Sequence, residues 1–284
     1  MTPDVVDFTA ADAPERFTES LRTTGFAVVT NHPLPWELVQ SLYAEWEEFF
    51  TSGAADAYTV GPDNQEGYFP PKIAETAKGR TVRDLKEFFH VYPWSEKYPS
   101  EVSDDAMRYR DIATDVASTL LGWVDANIPS EVAEKLSRPV ADMLTGNSRT
   151  LLRILRYPPL ESDAPEGAVR AAAHEDINLL TVLPASNETG LELLGADGKW
   201  YEVPCDPGSI AVNCGEMLDR ATEGYLPATT HRVVNPIGEA AHRSRMSMPL
   251  FLAAADDVII TDGRTAEELL AERIAELRSQ DSSD

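Results

Sequence analysis

Residues 174–183 read HEDINLLTVL, and a second short apolar run, GLELL, follows at 190–194. The run that begins at Leu179 is long enough for a strand and too short for a helix, so the polar His174-Glu175-Asp176 sits at a strand end. Working outward, runs of the same kind occupy 151–157, 170–174, 179–183, 190–194, 200–203, 209–213, 229–234 and 245–252. Turn chemistry separates them. Ala196-Asp197-Gly198 is a hairpin signal, and Asp206-Pro207-Gly208 marks another turn. Eight short strands punctuated this way predict a two-sheet jelly roll of cupin-like architecture.

The flanks read differently. Ala13-Pro14-Glu15-Arg16 opens a helix with Phe17 and Leu21 on one face, closed by Gly25. Phe26-Ala27-Val28-Val29 is a short strand, and Pro35 starts a helix carrying Leu38, Leu42, Trp46 and Phe49 at helical spacing. Residues 51–82 are rich in Gly, Pro and Asp and read as one long loop. A second helical stretch covers 101–147, with Val116, Leu120, Val124, Val132 and Leu136 as its stripe. Thr265-Ala266-Glu267-Glu268 is a capping box ahead of Leu269, Leu270, Ile274 and Leu277. The expected fold class is therefore mainly β with helices (α+β). Residues 1–147 form an N-terminal helical region with one or two strands packed on the core, 148–255 the jelly-roll core, and 256–284 a C-terminal helix and tail.

The chain has 284 residues, with 24 Lys+Arg against 48 Asp+Glu and a net charge of −24. That balance repels phosphates, which argues against nucleic acid or an anionic membrane surface as partner. With 43% hydrophobic and 25% charged residues the chain has ordinary globular usage, which argues against wholesale disorder. No stretch approaches the roughly 18 apolar residues of a membrane span. The start, MTPDVVDFTAADAPERF, has neither the basic head nor the apolar run of a signal peptide. Two cysteines, Cys205 and Cys214, exclude a disulfide framework and fit a reducing cytoplasm.

Chemistry concentrates in three residues. His174 and Asp176 are two apart at a strand end, so both side chains can converge on one ion. His231 lies 57 residues later, at the start of another apolar run. Two imidazoles and one carboxylate on one face leave open positions on an octahedral ion, the arrangement of non-haem Fe(II) oxygenases. Zinc could take the same ligands without redox chemistry. Arg245-Met246-Ser247 strengthens the reading, because a guanidinium and a hydroxyl on one strand face suit a bound carboxylate. No acidic residue adjoins Arg245 in its apolar strand, and a dicarboxylate cosubstrate would supply the anion. Tyr157 could add a phenolic hydrogen bond. His32, His90 and His242 read as turn, core or surface residues.

These motifs resemble the isopenicillin N synthase-like group of Fe(II)/2-oxoglutarate oxygenases over nearly the whole chain. The matches are HEDINLLTVL, GLELL with W-x-x-V-P (200–204), PGSIAVNCGEML (207–218), T-E-G (222–224), THRVVNP (230–236) and RMSMPLF (245–251). TTGFAVVTNHPLP (23–35), Glu66-Gly67-Tyr68 and Asp84-Leu85-Lys86-Glu87 continue the pattern upstream. The resemblance implies a double-stranded β-helix wrapped by N-terminal and C-terminal helices, with Fe(II) held by His174, Asp176 and His231. It also implies 2-oxoglutarate as cosubstrate, with Arg245 and Ser247, and Tyr157 beside them, on its distal carboxylate. O2 would be the oxidant, and a C–H bond of a small molecule would be oxidised with release of succinate and CO2.

Leu155 stands where many 2-oxoglutarate users carry Asn, and LRYPPL, HED and NCG look closer to isopenicillin N synthase itself. The alternative is thus an Fe(II) oxidase that uses O2 without 2-oxoglutarate, in which Tyr157 serves the substrate carboxylate. The chain is shorter than those synthases, however, and ends in RSQDSSD with no match to their C-terminal segment. Tyr68, Asn178 and Phe251 are the expected substrate-pocket residues, with loop 51–82 and the segment 84–91 shaping the cavity. The expected partner is a small-molecule substrate, for a monomer or weak homo-oligomer.

Overall fold

A computed structural model describes residues 2–61, 65–71, 84–160 and 169–281. Fifteen strands are described: β1 (Val5–Asp7), β2 (Phe26–Thr30), β3 (Gly67–Phe69), β4 (Glu87–Val91), β5 (Leu151–Tyr157), β6 (Ala171–His174), β7 (Leu180–Pro184), β8 (Leu191–Leu194), β9 (Trp200–Glu202), β10 (Ile210–Cys214), β11 (His231–Val233), β12 (Arg245–Ser247), β13 (Leu250–Leu252), β14 (Ile259–Thr261) and β15 (Arg264–Thr265). The helices are α1 (Ala13–Thr24), α2 (Trp36–Thr51), α3 (Asp105–Asn127), α4 (Ser130–Ala133), α5 (Glu216–Ala221) and α6 (Ala266–Asp281). The larger sheet runs β1-β2-β10-β7-β13-β5-β4-β3, with β12 also paired to β5. A four-stranded sheet, β6-β11-β8-β9, lies apart from it. This is the mixed, two-sheet jelly roll expected from the strand pattern.

Strand alternation decides which side chains can reach a site. Ala27 and Val29 of β2 join a large core shared with α1, α2 and α3, while Phe26 and Val28 belong to a smaller cluster with Leu191 and Leu193 of the second sheet. β10 divides the same way: Ile210 and Val212 pack toward the helices, and Ala211 toward the second sheet. The period of two therefore sorts each strand of the large sheet into a helix-facing row and a barrel-facing row.

Gly25 ties the helical layer to this frame. It ends α1 in the left-handed conformation (φ 68°) and donates its N–H to Leu21 O at 2.8 Å. A Cβ there would lie 2.2 Å from Thr229 Oγ1, so only glycine lets α1 approach the chain just before His231.

Several expectations need correction. Residues 1–147 contribute four strands rather than one or two. β4 is masked in the sequence because Glu87 and His90 interrupt its apolar run, although all five of its residues are buried. Within 51–82 the described part holds a 3-10 turn at Ala54–Tyr58 and β3, while 62–64 and 72–82 lie outside the described residues. The run 245–252 splits at Met248-Pro249 into β12 and β13, both paired with β5. The stretch 101–147 breaks at Ile128-Pro129, since the residue before a proline disfavours helix. The capping box closes as read: Thr265 N donates to Glu268 Oε2 at 2.9 Å and Glu268 N to Thr265 Oγ1 at 3.3 Å. Leu277 lies past the last side chain described.

Candidate active site

His174 ends β6 and His231 begins β11, and the two are direct register partners across this antiparallel pair. Their ring centroids lie 4.4 Å apart. Each Nδ1 sits against a backbone carbonyl two residues upstream: His174 on Ala172 O at 2.8 Å, His231 on Thr229 O at 3.0 Å. A carbonyl only accepts, so Nδ1 carries the proton and each Nε2 presents a lone pair. Both Nε2 atoms are 3.8 Å from Asp176 Oδ1, and the three ligand atoms lie within 4.8 Å of one another. Desolvation, with repulsion from His231, lowers His174 to about 4, so its imidazole is neutral and able to ligate at pH 7.

Asp176 is fixed from behind. Its Oδ2 accepts from Thr181 Oγ1 at 2.6 Å and from Asn213 Nδ2 at 2.9 Å, which leaves Oδ1 to the imidazoles. Burial works to raise this carboxyl, but His231, His174 and the two hydrogen bonds hold it below its ordinary value. Glu216 N also donates to Asp176 O at 2.7 Å, which sets the backbone against Gly215. Two imidazoles and one carboxylate, each oriented by a hydrogen bond on its far side, form a donor set that fits a divalent iron.

Across the barrel, β12 pairs with β5 so that Arg245 lies opposite Tyr157 and Ser247 opposite Leu155. Arg245 is 2% exposed, and its guanidinium carbon lies 5.3 Å from the Tyr157 ring centroid. Its Nε donates to Glu188 O at 3.1 Å, whereas its Nη1 is buried with no hydrogen-bond partner among the described residues. An orphaned guanidinium N–H with buried Ser247 on the same strand fits an incoming carboxylate.

Comparison with known proteins agrees with this chemistry. Residues 148–254 match the 2OG-Fe(II) oxygenase superfamily, and residues 4–112 match the N-terminal region described as non-haem dioxygenase in morphine synthesis. A Shewanella oneidensis protein described as an oxygenase is 44% identical, with 98% of this chain and 99% of that one covered at a TM-score of 0.87. A Caulobacter crescentus protein assigned to the 2OG-Fe(II) oxygenase family is 30% identical, covering 96% and 98% of the two chains at a TM-score of 0.78. The chain belongs to the 2OG-Fe(II) oxygenase superfamily. The mugineic-acid 3-dioxygenase of Hordeum vulgare is 28% identical over 266 residues, which are 89% of this chain and 73% of that enzyme. As a member of that superfamily, the oxygenase uses Fe(II) and 2-oxoglutarate.

The three expected pocket residues of this oxygenase fare differently. Phe251 takes the barrel-facing row of β13, since its neighbours Leu250 and Leu252 belong to the helix-side core. Tyr68 does not face the cavity. It packs in the helix-side core with its ring 5.9 Å from Phe50, and its hydroxyl donates to Glu87, which also pairs with Arg156 at 2.6 Å. The next residue, Phe69, lies on the barrel side and stacks on Phe88 at 4.7 Å. Asn178 is likewise turned away, its amide nitrogen donating to Thr181 Oγ1 at 2.9 Å and Leu180 O at 3.2 Å. It supports the Asp176 network rather than lining a pocket.

Segment 84–91, expected to shape the cavity, lies along this wall together with Arg153, which the sequence expectation lacked. Arg153 lies 4.4 Å over the Phe88 ring and 5.5 Å from Phe251, and its Nε donates to His90 Nε2 at 2.8 Å. Lys86 pairs with Asp84 at 3.0 Å, and Asp84 in turn accepts from Ala172 N at 3.0 Å. One signal was available: Arg153, Leu155 and Tyr157 share strand parity, so a barrel-facing Tyr157 places Arg153 inside.

Proposed function

We propose that this oxygenase hydroxylates an unactivated C–H bond of a small organic molecule, converting one 2-oxoglutarate and one O2 to succinate and CO2 per turnover. The observation that carries the reading is the pairing of a preoriented His174–Asp176–His231 set with a buried Arg245 whose Nη1 has no partner among the described residues, in the same barrel. Bound iron supplies the redox chemistry, and 2-oxoglutarate supplies the second pair of electrons.

The protein's own residues orient and exclude. His174, Asp176 and His231 hold the metal, with Nδ1 protons committed to backbone carbonyls so that neither ring can rotate freely. Arg245 and Ser247 take the distal carboxylate of 2-oxoglutarate, and Tyr157 flanks it. Phe88, Arg153 and Phe251 form the wall on which the substrate rests. The apolar cluster around Phe26, Leu191 and Leu193 keeps the barrel interior dry. Both cysteines are free thiols, which supports a reducing, cytoplasmic setting. No described helix is long and apolar enough to cross a membrane.

The test is coupled turnover. Iron-loaded protein given O2, 2-oxoglutarate and a metabolite library should release succinate in step with one hydroxylated product. Substrate oxidation that proceeds equally well without 2-oxoglutarate would instead assign the isopenicillin N synthase-type oxidase.

A further inference from the structure

Arg245 is not the only buried arginine at this end of the barrel. Arg170, just before β6, is 0% exposed. Its Nη2 donates to Arg243 O at 3.0 Å, which anchors the guanidinium two residues from Arg245 along the same segment. Its Nε and Nη1 are buried without a partner among the described residues. The carboxylate near both arginines, Glu188, is bound by Arg243 at 2.5 Å, and it offers Arg245 only its backbone carbonyl. Two buried guanidinia thus lie against one segment, each tied to a backbone carbonyl and, among the described residues, neither hydrogen-bonded to a carboxylate. Burial and the charge of Arg245 together pull the Arg170 pKa down, against smaller opposing effects of Tyr157 and Glu188.

Such an arrangement is costly until an anion arrives, because among the described residues neither buried guanidinium is hydrogen-bonded to a carboxylate. A single carboxylate has about four lone-pair sites, enough to accept from Arg245 Nη1, from Ser247 and from a second guanidinium at once. We infer that Arg170 is a second arginine of the cosubstrate site, gripping with Arg245 the distal carboxylate of 2-oxoglutarate. The inference rests on the 2-oxoglutarate reading above. Arg170 touches the cosubstrate at the end remote from the iron, so it acts on cosubstrate affinity and selectivity. A dicarboxylate 2-oxo acid should gain far more from the pocket than a monocarboxylate with the same chelating end.

Anaerobic calorimetric titration of the Fe(II)-loaded protein tests this with two ligands, 2-oxoglutarate and 2-oxopentanoate, which lacks the distal carboxylate. Arg170→Met should weaken 2-oxoglutarate at least about tenfold, as expected for a lost charge-assisted contact, and leave 2-oxopentanoate within about twofold. Arg170→Lys, which keeps the charge, should fall between wild type and Arg170→Met for 2-oxoglutarate alone. Unchanged 2-oxoglutarate affinity in Arg170→Met, or equal losses for both ligands, would overturn the assignment. If Arg170→Met does not fold, Arg170→Lys decides alone: a loss confined to 2-oxoglutarate supports the clamp, and no loss or an equal loss overturns it. Wild-type protein that binds no 2-oxoglutarate defeats the cosubstrate reading itself, whereas tight wild-type binding that Arg170→Met leaves intact defeats only the clamp.

Discussion

His174 and His231 face each other as register partners at the ends of β6 and β11. That pairing places two imidazoles from residues 57 apart on one side of one ladder without help from a loop. Asp176, two residues beyond His174, needs more support because it lies past the strand end. Thr181, Asn213 and Glu216 supply it from β7, β10 and the start of α5.

Thr181→Val removes one of the two hydrogen bonds on Asp176 Oδ2 while preserving side-chain shape. Fe(II) affinity should drop about tenfold, the lower end for loss of a ligand-orienting partner. Metal titration of the folded variant measures it, and wild-type affinity would show that Thr181 does not orient the carboxylate.

Gly215→Ala should damage both stability and metal binding. A Cβ at Gly215 would sit 2.1 Å from Asn178 O and 2.3 Å from its Oδ1, so backbone must move. The loss should reach about 1–3 kcal/mol, as for overpacked cores. Chemical denaturation and iron titration of the same variant should both register the change. A fully stable variant would mean that the turn relaxes without disturbing Asp176.

Tyr68→Phe separates structure from chemistry. The Tyr68 hydroxyl bonds the buried Glu87 carboxylate on the helix side of the sheet. Its removal should cost about 1–3 kcal/mol of stability, as for hydrogen bonds to charged groups. The KM for substrate should not change. A raised KM at unchanged stability would return Tyr68 to the pocket.

The metal-free protein should lose stability in mild acid. Folded His174 stays neutral down to about pH 4, whereas the unfolded chain takes up that proton near pH 6.5. Between those values the unfolded state binds more protons, so stability falls as pH drops through the window. Thermal unfolding of His174→Gln from pH 7 to pH 4.5 should show a shallower decline than wild type. Identical slopes would remove His174 as the source.

The legible part of this molecule was the part written in strand-length apolar runs and spaced ligands. The metal ligands and Arg245 stand at the ends of such runs, so both their type and their parity could be read. Tyr68 and Asn178 were misplaced because their roles depend on which sheet face a residue takes, and that face is set by long-range pairing. β3 pairs Tyr68 with Phe89, and this register turns Tyr68 toward the helices and Phe69 toward the cavity. Arg153 and Arg170 were missed for a related reason. An arginine in a strand, or just before one, looks like a surface residue until the two sheets enclose it.

The most direct test of the account is anaerobic titration of the Fe(II)-loaded protein with 2-oxoglutarate, followed by visible absorption. A saturable charge-transfer band in wild type, lost or shifted to much higher concentration in Arg245→Ala, is the expected result. Stoichiometric iron binding with no band at any 2-oxoglutarate concentration would contradict it and reassign Arg245 and Tyr157 to the substrate.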